Sequence, residues 1–286
     1  VLREQILREE SLLVPDEADP RLLARPRRRW SHVLRSADRA RPELRRLALR
    51  AFTRMREDVR GRALAQALED RDQAAVLRRV DRAVAAGTRV WAKPVRKLLL
   101  AVVERTGTRA GRLIPRARRA EALRAAAPEI RSWKFDVTNP RAQEWAEKHA
   151  AELVDEVNKT TRKKIHDLIE RSFSEQIDPR DIADEIENLI GDEERAETIA
   201  RTETMRAANQ GQLEAWEQAV EAGLLTGNER KEWIVTPDDR LCPICEPMDG
   251  ETADLDGDFN VDGERIDAPP AHPRCRCTMG IAREGS

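Results

Sequence analysis

The sequence predicts a mainly α protein of long helices, closed by a small α+β, zinc-knuckle-like segment near its C-terminal end. Three observations predict it. Ala, Leu, Arg and Glu are abundant while glycine (13 in 286 residues) and aromatics (3%) are scarce, the composition of helices with small residues packed between them. Apolar residues recur three or four apart over long stretches, which is helical spacing. All four cysteines fall in the last sixth of the chain, where the helical pattern gives way to short segments, turns and prolines.

From about Leu44 to Leu68, the residues Leu44, Leu47, Ala48, Ala51, Met55 and Val59 make one apolar stripe, and Val76, Leu77, Val80 and Val84 make the next. Arginines occupy most of the positions between, so each helix would carry a narrow apolar stripe and a broad cationic face. Pro94 and the Gly107 to Gly111 stretch are expected to punctuate this half. "LIPRARRAEALRAAAPEI" reads as a short helix before a linker at about 128–139.

Beyond the linker, Thr138 or Asn139 can cap a helix with Pro140 in its first turn. Its apolar face would be Trp145, His149, Leu153, Val157, Ile165, Leu168 and Ile169. "DPRDIADEIENLIG" reads as a compact helix with an Asp178 cap, Pro179 at the first helical position and Gly191 at its end. A third helix is expected from about Asp192 to Glu221. After Gly223, "KEWIVTP" is strand-like around Trp233, followed by turns and acidic loops.

The formal net charge of −1 hides a division. Residues 1–131 carry 33 Lys/Arg against 17 Asp/Glu, and residues 132–286 carry 19 against 36. The sequence therefore divides into a basic Arg-rich helical region, 1–131, and an acidic region, 132–286, with the Cys/His segment at 233–280. Such an asymmetry implies a polyanionic partner for the basic half, double-stranded DNA among them, or pairing of the two halves with each other. The longest purely apolar run, "LLLAVV" at 98–103, is far short of the ~20 residues of a membrane span.

"CPIC" (242–245) and "HPRC" (272–275) share one form: metal-capable side chains at the first and fourth positions, with proline second. Proline presets the dihedral of a four-residue turn whose ends come within about 7 Å. Each turn can thus present two ligands side by side, and two turns together supply the Cys3His set of a structural zinc site. Cys242, Cys245 and His272 are candidate ligands, and the spacing leaves Cys275 and Cys277 as alternatives for the fourth position. A disulfide, or reduced cysteines without metal, are the other readings of the same residues.

A catalytic zinc of the deaminase type needs a glutamate two residues beyond a His or Cys ligand. None of the four histidines or four cysteines has one. His-Glu-x-x-His is also absent, which disfavours a zinc hydrolase. Asp258, Asn260, Asp262 and Gly263 begin like a calcium loop, but Pro269 stands where the bidentate glutamate belongs, so a solvated acidic turn is expected. In "ARTETMRAANQG", Arg201, Glu203 and Arg206 read by spacing as a solvent-facing charged helix. The sharper alternative has Arg201 and Glu203 in buried polar contact with the Cys/His segment.

Arg201-Thr202-Glu203 on a helix, a Trp233 strand, Asp239 shortly before Cys242-x-x-Cys245, Gly250, Phe259 and the closing Pro-Pro-x-His-Pro-x-Cys-x-Cys occur in this order. Over roughly 140–280 the combination resembles the phage Mu F-like head morphogenesis family, minor capsid proteins of tailed phages and prophages. The resemblance implies a virion protein of the phage head, made in the bacterial cytoplasm. It implies association with the portal protein and other head proteins at the portal vertex, in some members with packaged DNA, and no enzymatic activity. The alternative function is a zinc-containing DNA-binding protein.

Overall fold

The computed structural model of the chain describes residues 31–114, 133–236 and 242–282. Six helices come first: α1 Ser31–Val59, α2 Arg62–Glu69, α3 Gln73–Leu113, α4 Pro140–Ser174, α5 Pro179–Ile190 and α6 Glu193–Glu221. Five short strands follow: β1 Arg230–Ile234, β2 Thr252–Asp254, β3 Phe259–Val261, β4 Glu264–Ile266 and β5 Thr278–Ile281. The fold is mainly α with a small C-terminal sheet segment, as the composition and periodicity predict.

The caps fall where the sequence puts them. Asn139 Oδ1 accepts from Arg141 N (3.0 Å) and Asp178 Oδ1 from Arg180 N (2.8 Å). Asp192 does the same for Arg195 N at 2.8 Å. Each side chain satisfies a backbone donor that has no partner within its own helix. One expectation fails. Pro94, Gly107 and Gly111 do not interrupt the second basic helix, because α3 runs unbroken through all three. The two glycines instead sit under the rings of Phe135 and Trp133, so they serve close packing rather than a chain break. The short helix expected over 113–130 lies outside the described residues, apart from its first two.

The chain forms two compact units, and neither follows the charge boundary at residue 131. One consists of residues 41–99 and 144–200, the other of residues 1–40, 100–143 and 201–286. In the first unit Leu44, Phe52, Met55, Val80, Ile165, Ile169, Ile182 and Ile186 are fully buried, and α2 packs on α5. Its two segments carry 16 Lys/Arg against 7 Asp/Glu and 8 against 17, so charges of +9 and −9 cancel within it. Ion pairs join them: Arg45 with Glu193 (2.7 Å), Arg41 with Glu197 (3.4 Å), Arg96 with Glu147 (3.2 Å), Arg162 with Asp81 (2.7 Å), and Arg60 with Glu187. The two halves of the sequence are, in this unit, each other's partner.

In the second unit, α6 is buried on nearly every side from Thr202 to Ala219. It approaches α3 closely: a Cβ on Gly107 would lie 2.8 Å from the Gly211 carbonyl oxygen. The main sheet has the order β2-β1-β5, all antiparallel, with Trp233 opposite Met279 and Lys231 opposite Ala253. Alternation along β1 turns Lys231 and Trp233 inward, and Trp233 meets Phe259 edge to face at 5.1 Å. The acidic stretch is a hairpin. β3 and β4 pair around Asp262-Gly263, at φ 51° and 84°, the left-handed pair that a two-residue hairpin turn requires.

Candidate metal centre

Two turns carry the candidate ligands, and both close as their prolines predict. Cys245 N donates to Cys242 O at 3.0 Å, and Cys275 N to His272 O at 3.2 Å. The first turn continues into a 3₁₀ turn, Glu246–Met248, and Gly250, at φ 89°, returns the chain to donate to Trp233 O at 2.9 Å. The second turn precedes β5, which pairs with the other edge of β1. β1 therefore anchors both turns, and the ligands meet although about 30 residues separate them.

The polar atoms converge. His272 Nε2 lies 2.8 Å from Cys242 Sγ and 3.1 Å from Cys245 Sγ, and Cys245 Sγ lies 3.6 Å from Cys275 Sγ. Two overlapping groups result, Cys242 with Cys245 and His272, and Cys245 with Cys275 and Cys277, the ligand atoms of each within 4.8 Å of one another. Either group could hold a metal ion. His272 Nδ1 sits 2.8 Å from Pro273 O. A carbonyl only accepts, so Nδ1 carries a proton and Nε2, which faces the sulfurs, is the nitrogen left to ligate an ion.

The dimensions fit a tetrahedral ion. Zinc bound to sulfur at about 2.3 Å and to nitrogen at about 2.05 Å implies S···S edges of about 3.8 Å and S···N edges of about 3.6 Å. The Cys245–Cys275 edge already has that length. The two edges to His272 have to open by several tenths of an ångström. Three cysteines are buried, and Cys242 and His272 are partly so. Trp233, Val235, Met248, Phe259 and Val261 form an apolar flank against Cys245, Cys275 and Cys277.

The electrostatics favour a cation at the centre. Its hydrogen bond with Cys245, aided by His272, brings the Cys242 thiol down to about 5. Contact with Cys245, then Cys277 and His272, lowers Cys275 as well. Contact with Cys242, Cys275 and Cys277 raises Cys245. Burial alone would lower the His272 imidazole, but the sulfurs of Cys242 and Cys275 outweigh it and raise it to about 10. In a metal-free cluster a proton on His272 meets that demand. A divalent ion meets it better and releases protons as it binds.

Of the remaining motif residues, Trp233 is fully buried and Asp239 lies outside the described residues. The solvent-facing reading is overturned for Glu203, which is 9% exposed and faces Arg206 at 3.4 Å, while Arg201 is half-buried. Thr202 between them makes a contact with the Cys/His segment, its Oγ1 accepting from Arg274 N at 2.9 Å. Spacing missed Asn209, which is fully buried. Its Nδ2 donates to Pro269 O (3.0 Å) and Cys277 O (3.1 Å), and its Oδ1 accepts from Thr278 Oγ1 (2.6 Å). Gln212 Nε2 adds a hydrogen bond to Met279 O. The signal was present as polar, uncharged side chains on an otherwise Ala-rich helix.

Fold and site together define a mainly helical protein whose last helix holds a small sheet bearing a Cys/His cluster able to bind metal. Residues 163–280 match the family described as phage Mu protein F like protein. The match includes α6, the sheet and every cysteine. It points to a phage head morphogenesis protein. No curated protein and no solved structure matches the chain. No helix among the described residues is long and apolar enough to cross a membrane.

Proposed function

We propose that the protein is a minor capsid component of a phage head, made in the bacterial cytoplasm and assembled at the portal vertex. In this reading its C-terminal segment is a structural zinc knot held by Cys242, Cys245, His272 and Cys275. The family match carries the first part. The convergence of three sulfurs and an imidazole nitrogen supports the second. Cys275 is preferred to Cys277 because the Cys275 sulfur interacts with His272 as well as with Cys245, whereas the partners of the Cys277 sulfur are Cys245, Cys275 and Trp233. The zinc contributes folding free energy to a segment too small to fold on its own core, and the role is structural rather than catalytic. Co-expression of the full chain with the portal protein encoded beside it tests the assignment. Co-purification with the portal oligomer supports it, and clean separation of the two counts against it.

One observation favours a DNA contact as a second reading. Arg82, Arg89, Lys93 and Lys97 lie seven and then four residues apart on α3, are exposed, and have no ion pair among the described residues. They form a cationic ridge about 22 Å long. A ridge that meets phosphates gives the full chain an affinity for double-stranded DNA that falls by orders of magnitude from low to physiological salt. Replacing all four with Glu abolishes that affinity. Salt-independent binding, or none, excludes the ridge as a DNA contact.

A further inference from the structure

We infer that Thr202 is a positioning residue for the metal loop: from a fixed place on α6 its hydroxyl holds the backbone N–H of Arg274 and so sets how His272 and Cys275 meet an ion. This rests on reading the Cys/His cluster as a metal site.

The need for such a residue begins in the turn itself. His272-Pro273-Arg274-Cys275 has proline second and a residue at φ 63° third, the arrangement of a type II turn, which favours glycine at the third position. Arginine stands there instead, in the left-handed region that a side chain beyond Cβ disfavours. The closing hydrogen bond of the turn, Cys275 N to His272 O, does not use the Arg274 N–H. That donor points outward, and Thr202 Oγ1 receives it at 2.9 Å. The bond therefore holds the central peptide unit of the turn, whose flip toward a type I turn would relieve the φ of Arg274 and re-aim the side chains at either end.

The anchor is rigid because α6 is. Seven residues along, two turns on and on the same side of the helix, Asn209 holds the Pro269 and Cys277 carbonyls and the Thr278 hydroxyl. Thr236 Oγ1 adds a bond to Arg276 O at 2.6 Å. The loop is thus fixed before, within and after the His272–Cys275 turn, with Thr202 as the only one of these anchors inside the turn. Groups that orient ligands in this way commonly carry a 10- to 100-fold share of metal affinity.

The test uses the full chain and two variants. Thr202→Val keeps the shape and removes the acceptor, while Thr202→Ser keeps the acceptor. Zinc affinity is measured by competition with a chelator, and the ligand geometry is read from the visible spectrum of the cobalt(II) form. Hydrogen exchange at the Arg274 amide is followed in metal-stripped protein. Val is expected to weaken zinc binding about 10- to 100-fold, shift the cobalt spectrum and speed Arg274 exchange, with helical circular dichroism unchanged. Ser should stay near wild type in all three. If Val is not accommodated, Thr202→Ala reads the same loss. Wild-type affinity and exchange in the variant lacking the hydroxyl overturn the inference. A wild-type chain that binds neither zinc nor cobalt overturns the metal reading itself, and the role given to Thr202 falls with it.

Discussion

Replacing Gly211 with alanine probes the crossing that holds α6, and through it the loop, in place. A Cβ on Gly211 would lie 2.4 Å from the Val103 carbonyl oxygen and 2.8 Å from its Cα, where ordinary contact begins at 3.4 Å. The overlap of about 1 Å is with backbone, which has no rotamer to change, so the two helices must part by a similar distance. Overpacking of this kind costs about 3 kcal/mol, the upper part of its usual range. Better helix propensity returns about 1 kcal/mol. The net loss of about 2 kcal/mol corresponds to a drop in Tm of about 4–8 °C for a domain of this size. Gly87→Ala is the internal comparison. Its Cβ would meet the Met55 side chain at 2.5 Å and the Ala51 carbonyl oxygen only at 3.0 Å, a clash a side chain can partly relieve, so its cost should be smaller than that of Gly211→Ala. Thermal and urea unfolding of the full chain, followed by circular dichroism, measure both. A Gly211→Ala chain that melts at the wild-type temperature, or no lower than Gly87→Ala, would refute the reasoning.

Further outcomes follow from particular contacts. Asn209→Asp points an acceptor at the Pro269 and Cys277 carbonyls in place of the two donated bonds, and should destabilise the C-terminal segment by about 3 kcal/mol, seen as new proteolytic cleavage between about 235 and 280. Asp178→Ala removes the cap of α5 and should cost about 1 kcal/mol in urea unfolding. Burial would raise the Glu229 carboxyl, but the backbone N–H groups of Thr226 and Gly227 outweigh it and hold it below its ordinary value of 4.5. A depressed carboxyl gives stability that is full above 4.5 and lost as pH falls through the lower folded value. Glu229→Gln should therefore be less stable than wild type at pH 7, with the gap closing as pH falls below 4.5. A gap unchanged over that window would contradict the assignment.

What was legible in the sequence was local. Asn139, Asp178, Pro179 and Gly191 announce helix ends because capping needs only neighbouring residues, and CPIC and HPRC announce their turns for the same reason. The glycines of α3 misled, because Gly107 and Gly111 face Phe135, Trp133 and Gly211, partners far away in sequence. β2 to β5 were illegible for the complementary reason: segments of three or four residues carry too little alternation to read, and their pairing is settled by β1. The buried polar side of α6 was not legible: Glu203 reads by spacing as solvent-facing, and Thr202 and Asn209 carry no signal of burial until the loop that covers them is known. The charge halves were legible as numbers, yet much of their meaning lay in ion pairs such as Arg45 with Glu193.

The most direct test of the zinc knot is the metal content of the full chain purified without chelator, alongside Cys275→Ser and Cys277→Ser. One zinc per chain in wild type and in Cys277→Ser, with little in Cys275→Ser, is the expected result. A fully folded wild-type chain without metal would contradict the account, and zinc retained by Cys275→Ser but lost by Cys277→Ser would contradict its ligand assignment.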